Sequence, residues 1–177
     1  WLNSIKRTLT KEQFEYILQK ENSNLAIYLK LVFEQVNNLP SYDETLKISD
    51  TVEGIIKEFI ERLEIEHDMD GLVEHVISYM LCGRYGGLAE NEILDILVFD
   101  KEYWKLFLNK SHKAHRKELK KAKKIPIAVW SKLYLDLEPY LTERDADGVP
   151  IITFFHRQFN EVLRKKYDLV EEGEVEL

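Results

Sequence analysis

The chain has one cysteine, Cys82, among its 177 residues, so no disulfide can close within it, and a reducing, cytoplasmic setting is the simpler expectation. It lacks any apolar run approaching the roughly 20 residues that span a bilayer. Its start, Trp1-Leu2-Asn3-Ser4, is neither an initiator methionine nor a signal peptide. The expectation is a soluble piece of a longer protein with no membrane partner. No G-x-x-x-x-G-K-[ST] loop occurs, and no G-x-G-x-x-G follows a strand, so this stretch is not expected to hydrolyse a nucleotide by itself. No serine or cysteine sits in a nucleophile elbow or near a base, so no catalytic residue is assigned. Internal repeats and low-complexity segments are missing too. A basic excess is also absent: the net charge of -7 argues against a surface that binds nucleic acid throughout, yet leaves room for a local basic patch.

What is present is helical period. The hydrophobic share of 45% can bury a core in one large domain or two small ones. Thr10 caps a short helix bearing Phe14, Ile17 and Leu18, and Leu25, Tyr28, Leu29, Val32 and Val36 stripe the next, which stops near Pro40. Asp50 and Glu53 form a candidate capping box before Val52, Ile55, Ile56, Phe59, Ile60 and Leu63. The polar run from Glu64 to Gly71 follows as a candidate hinge. Leu72, Val73, Val76, Ile77 and Met80 define a helix closing at Gly83, and Leu88 is placed to staple against Ile93 of the following one. Pro126 fits the first turn of a helix carrying Val129, Trp130, Leu133, Tyr134 and Leu137, which Pro139 ends. Asp147-Gly148 between two apolar segments signals a β-hairpin, because such turns require positive φ. Phe159, Val162, Leu163 and Tyr167 make a last helix, and Glu171 to Leu177 is an acidic tail expected to be disordered.

Helix, helix, hairpin, helix in this order is a winged-helix pattern. The expected fold is mainly α: a small helical bundle over 1–47, a connecting helix and hinge over 48–70, and a winged-helix domain over 71–168 with one β-hairpin and a basic insertion at 100–124. The acidic tail fills 169–177.

Several side chains carry candidate chemistry. Cys82 lies in an apolar run and reads as a buried core thiol. His112 and His115, three apart on an expected helix, could share a face for a metal, but no third ligand accompanies them and lysines surround them, so no metal site is assigned. Glu143, Asp145, Asp147 and Gly148 echo a calcium loop whose twelfth position would be Phe154 instead of an acid; a plain turn is the reading. The run Lys110, Lys113, Arg116, Lys117, Lys120, Lys121, Lys123 and Lys124 contains one acid, Glu118. It is either a solvated surface or a footprint on a phosphate backbone, and it lacks interleaved aromatics for base stacking. His156 stands where the hairpin gives way to the final helix. It is either a partly buried core residue between Phe155 and Phe159 or a ring N–H offered to an anion beside Arg157.

Taken together, these segments resemble the region after the nucleotide-binding core in signal-transduction ATPases with numerous domains (the STAND class, NACHT type), and most closely the telomerase-associated-protein and nephrocystin-like members. The family's R-x-G-L-x-E-x-E-L-L-D-L-L stretch is similar to Gly83 through Leu97. Its P-x-x-x-W-x-x-L-x-x-x-L-x-P-Y-L stretch is similar to Pro126, Trp130, Leu133, Leu137 and Pro139-Tyr140-Leu141. Its F-x-H-x-x-F-x-E stretch is similar to Phe154-Phe155-His156-Arg157-Gln158-Phe159-Asn160-Glu161, and Tyr28 to Glu34 resembles an upstream family helix. The likeness covers roughly residues 8 to 168. It implies an ATP or ADP site, with Mg, between a P-loop core of the parent chain and these helical parts, with His156 on the β-phosphate of ADP. Many members place a proline against the adenine where this sequence has Ala26.

Three functions follow as expectations. The first is a non-enzymatic regulatory segment that couples the nucleotide state of a neighbouring P-loop domain to domain opening, with a downstream repeat domain as a possible further partner. The second is a nucleic-acid-binding winged helix using Lys113, Arg116, Lys117, Lys120, Lys121 and Lys124, although no such binding is expected at physiological salt. The third is a structural spacer between an ATPase core and repeats.

Overall fold

A computed structural model of the protein describes residues 9–38, 46–67 and 71–169. These residues form nine α-helices and one two-stranded antiparallel sheet, so the chain is mainly helical. It divides into two compact units, Trp1–Ile60 and Glu61–Leu177.

In the first unit, α1 (Lys11–Leu18) opens on the expected cap: the Thr10 hydroxyl accepts from the Gln13 N–H, and the Gln13 side chain accepts from the Thr10 N–H. Helix α2 spans Ala26–Asn38 and buries Tyr28, Leu31, Val32 and Val36. The Tyr28 hydroxyl donates to the Ser49 carbonyl at 2.6 Å. Phe14 and Leu18, read as core-facing, are about half exposed; α1 is a short helix that buries only Ile17. Helix α3 (Val52–Glu66), whose residues from Glu61 on belong to the second unit, starts one residue later than the expected Asp50 box implies. Its cap is Thr51, whose hydroxyl accepts from the Gly54 N–H at 3.1 Å. Asp50 is drawn away by an ion pair with Lys20 at 2.7 Å, and Glu53 reaches Lys57 one turn on.

The second unit is a winged helix. Helix α4 (Leu72–Cys82) buries Leu72, Val73, Val76, Ile77, Met80 and Leu81. Cys82 corrects the sequence reading: its thiol is exposed, because one further step around α4 carries it off the buried stripe. Helix α5 (Glu90–Phe99) begins after Ala89, which has no side-chain acceptor, and the Glu92 carboxylate instead caps the Ala89 N–H at 2.8 Å. Helix α6 (Lys101–Lys110) buries Tyr103, Phe107 and Leu108, whereas the next, α7 (Arg116–Ala122), buries nothing. Helix α8 (Ile127–Leu137) follows Pro126, and a 3-10 turn over Glu138–Tyr140 takes in Pro139. The wing pairs β1 (Leu141–Ala146) with β2 (Val149–Phe154) across the two residues Asp147 and Gly148, whose φ angles are 54° and 84°. That is the positive-φ turn the sequence signals, so the calcium-loop echo is a hairpin. Helix α9 (Arg157–Lys166) packs against α4 and β2.

One strand contact has no sequence pattern. Leu88 bridges to Ile152, its N–H donating to the Ile152 carbonyl at 3.2 Å and its carbonyl accepting from the Ile152 N–H at 2.8 Å. The wing is thereby tied to the loop before α5, and β2 is buried at every position from Ile151 to Phe154. A strand covered on both faces loses the polar alternation that marks a half-exposed one.

Helix α6 is anchored by Asp100. One carboxylate oxygen accepts from the N–H groups of Glu102 and Tyr103, and the other from the Tyr79 hydroxyl at 2.6 Å. The Tyr79 hydroxyl above all, then the helix amides, hold the Asp100 carboxyl below its usual range, against the opposing effect of burial. A depressed carboxyl stabilises the fold while ionised. Its contribution is complete above the unfolded value near pH 4 and is lost as pH falls through the folded one. Asp100→Asn keeps a cap acceptor but loses the charge, so it is expected to lower stability at pH 7 by about 0.3–1 kcal/mol, the scale of a carboxylate at a helix N-terminus. The gap from the parent chain should close below about pH 4; urea unfolding at pH 7 and pH 3 checks it, and a gap independent of pH would remove the charge from the account.

Candidate functional site

His156 occupies the junction between β2 and α9. Extended backbone at His156, φ -138° and ψ 138°, makes it the N-cap of α9, and its Nδ1 accepts from the Gln158 N–H at 3.3 Å. An Nδ1 that accepts leaves the proton of the neutral ring on Nε2, so Nε2 is the remaining donor. The ring is half-buried, edge-on to Phe155 with centroids 6.1 Å apart. The Phe155 N–H donates to the Tyr140 carbonyl at 3.1 Å, which sets where the strand stops. Among the described residues no partner meets Nε2. The ring thus sits beside Phe155 at the N-terminus of α9, the positive end of that helix. Arg157 turns along the helix to Glu161 at 3.8 Å, with both side chains largely exposed. Such a pair contributes little and leaves the guanidinium accessible.

The basic residues belong to other elements. Lys113 lies in the turn before α7, and Lys117, Lys120, Lys121 and Lys124 are exposed on α7 or just past it. Arg116 is spent inside the fold: its guanidinium donates to the carbonyls of Ser111, at 3.0 Å, and Asn109, closing the C-terminal end of α6. His112 and His115 sit in that same turn instead of on a helix, with ring centroids 5.8 Å apart and both exposed.

A second cluster was not legible in the sequence. His67, at the end of α3, is only 5% exposed. Its Nε2 lies 2.7 Å from a carboxylate oxygen of Asp136 on α8. Glu66 stands beside it, and Glu66, His67 and Asp136 each present one ligand atom within 4.8 Å of the others. The sequence signal was the Glu66-His67 pair, which lies in the polar run read as a hinge; Asp136 is far off in the chain. That run is helical through Glu66, and its residues 68–70 lie outside the described set, as does the acidic tail from 171 on.

The loop before α5, helix α8 and the end of β2 meet in space. The loop of Gly86, Gly87 and Leu88 lies along β2, with the Thr153 hydroxyl donating to the Gly86 carbonyl at 2.9 Å. Trp130 of α8 donates its indole N–H to Glu90 of α5 at 2.7 Å. Strand β2 runs directly into Phe155 and His156.

No family profile matches the chain, and no solved structure matches it. Among curated proteins it is 32% identical over 139 residues to the human NACHT domain- and WD repeat-containing protein 1, and 30% identical over 139 residues to its mouse counterpart. Each alignment covers 78% of this chain and 8% of the relative. The chain is thus a mainly helical segment, ending in a winged helix, that is distantly homologous to a small region of a NACHT domain- and WD repeat-containing protein.

Proposed function

We propose that the chain is the regulatory helical and winged-helix part of a STAND-type ATPase, reading the nucleotide state of a P-loop domain in the same parent protein through His156. The observation that carries the reading is the division of labour on the His156 ring. Nδ1 serves the cap of α9, which leaves the proton of the neutral ring on Nε2, a donor beside a helix N-terminus that meets no partner among the described residues. A half-buried ring held in one orientation, with an N–H donor at a positive helix end and an accessible arginine beside it, fits a phosphate oxygen. Bound ADP or ATP would supply that anion. The homology to a NACHT protein supports the same reading. A histidine-to-phosphate contact made in one nucleotide state and lost in another is a differential interaction, which a switch requires.

Two substitutions separate the cap from the donor. His156→Asn keeps an N-cap acceptor and should leave unfolding of the chain within about 1 kcal/mol of the parent, while His156→Ala loses the cap at a cost of about 1 kcal/mol. In the full-length parent His156→Ala removes the ring donor, worth about 1.5–3 kcal/mol as a charge-assisted bond, so ADP release should quicken roughly ten- to a hundredfold, whereas His156→Asn substitutes a shorter carboxamide N–H and should give a smaller acceleration. Release of a fluorescent ADP analogue reads this directly. Unchanged release in both variants would overturn the assignment of His156.

A further inference from the structure

We propose that Glu66, His67 and Asp136 form a binding site for a divalent transition metal, with Zn²⁺ as the ion. The three side chains come from the end of α3 and from α8, and their ligand atoms lie within 4.8 Å of one another. A tetrahedral zinc with bonds of about 2.0–2.2 Å holds neighbouring ligand atoms about 3.3 Å apart. The His67 Nε2 to Asp136 separation of 2.7 Å therefore opens by a little over half an ångström, and the Glu66 carboxylate swings inward. Glu66 is free to do so. It is exposed, and its tie to Arg62 at 3.3 Å is a surface pair one turn away on the same helix, which contributes little.

His67 is the rigid member. Its ring is 5% exposed, and Nε2 already faces the Asp136 carboxylate. The site also lies at the C-terminal end of the fifteen-residue helix α3, the negative end of the helix dipole, where Lys132 already donates to the Glu66 carbonyl at 3.2 Å. One imidazole nitrogen with two carboxylate oxygens, and a water in the fourth position, is a donor set for zinc. Calcium and magnesium prefer six or more oxygens. On binding, the ring proton moves from Nε2 to Nδ1 and the Nε2 lone pair goes to the metal, so the hydrogen bond to Asp136 is replaced by two metal–ligand bonds.

The test uses the 177-residue chain in a Cys82→Ser background, since the exposed thiol of Cys82 would itself take zinc. Calorimetry with Zn²⁺, and the visible absorption of Co²⁺ in its place, should show one ion per chain at micromolar affinity or tighter. Glu66→Gln and Asp136→Asn should each weaken it by roughly tenfold or more, with far-UV circular dichroism unchanged. Exposed Glu66 makes the first of these the safer variant for folding. His112→Ala with His115→Ala should leave binding as it was. The proposal is overturned if Zn²⁺ binds only in the millimolar range, if binding survives both carboxamide variants, if it is lost with His112 and His115, or if equimolar Mg²⁺ displaces it. In those cases the His67–Asp136 contact is a hydrogen bond between two helices and nothing more.

Discussion

Phe159→Ala is expected to destabilise the winged-helix unit by about 3–5 kcal/mol, the range for truncating a fully buried phenylalanine. Phe159 is wholly buried on α9. Its ring stacks on Phe154 at 5.0 Å with 5° between planes, and it meets Phe155 and Tyr140 at 5.6 and 5.7 Å. The substitution removes these contacts together and leaves a cavity that the strand and the helix cannot both close. A loss of that size is a large share of the roughly 5–15 kcal/mol that holds a domain folded. It would also release the helix whose first residue follows His156, so the His156 ring would lose the cap bond that orients it. Phe159→Leu, which keeps most of the volume, should cost clearly less. Urea unfolding followed by circular dichroism measures both. A loss under about 1 kcal/mol for the alanine variant would mean that α9 is not docked on the wing.

Gly87→Ala should come next, with a loss of roughly 2–4 kcal/mol from forced overpacking. A Cβ at Gly87 would lie 2.4 Å from the Ile152 carbonyl oxygen and 3.1 Å from the Thr153 Cβ. The obstacle is backbone, which cannot rotate aside, so the Leu88–Ile152 bridge must open and with it the tie between wing and helices. Gly86→Ala gives an internal comparison. Its φ of 69° penalises a side chain, yet a Cβ there meets nothing within 4 Å, so only the backbone penalty of about 1–2 kcal/mol applies. Amide exchange at Leu88 and Ile152 should accelerate in the Gly87 variant and stay protected in the Gly86 one. The reverse order would place the glycine requirement in turn geometry instead of close approach.

These two sites join three segments that are far apart in the sequence. The Gly86-Gly87-Leu88 loop is the surface on which β2 is laid, β2 delivers Phe154 and Phe155, and these seat Phe159 of α9. Each segment is packed against the next, and the sequence ends of that chain of contacts meet at His156. Helix α7, by contrast, buries none of its residues and carries the exposed lysines.

By itself the sequence determined what depends on neighbours in the chain. The apolar stripes of α3, α4, α8 and α9, the Thr10 cap and the Asp147-Gly148 turn were legible because period, capping and positive φ are local properties. The mainly helical class and the single hairpin follow from them. Tertiary structure alone decided the rest. Asp50 lost the cap of α3 to Thr51 because Lys20 holds it. Cys82 faces water because the buried arc of α4 ends one residue earlier. Arg116 left the basic surface for two carbonyls at the end of α6. The Leu88–Ile152 bridge and the Glu66, His67 and Asp136 cluster join residues more than sixty positions apart. Each of these outcomes turns on which partner arrives through space, and a side chain with several possible partners carries no mark in the sequence of the one it will meet.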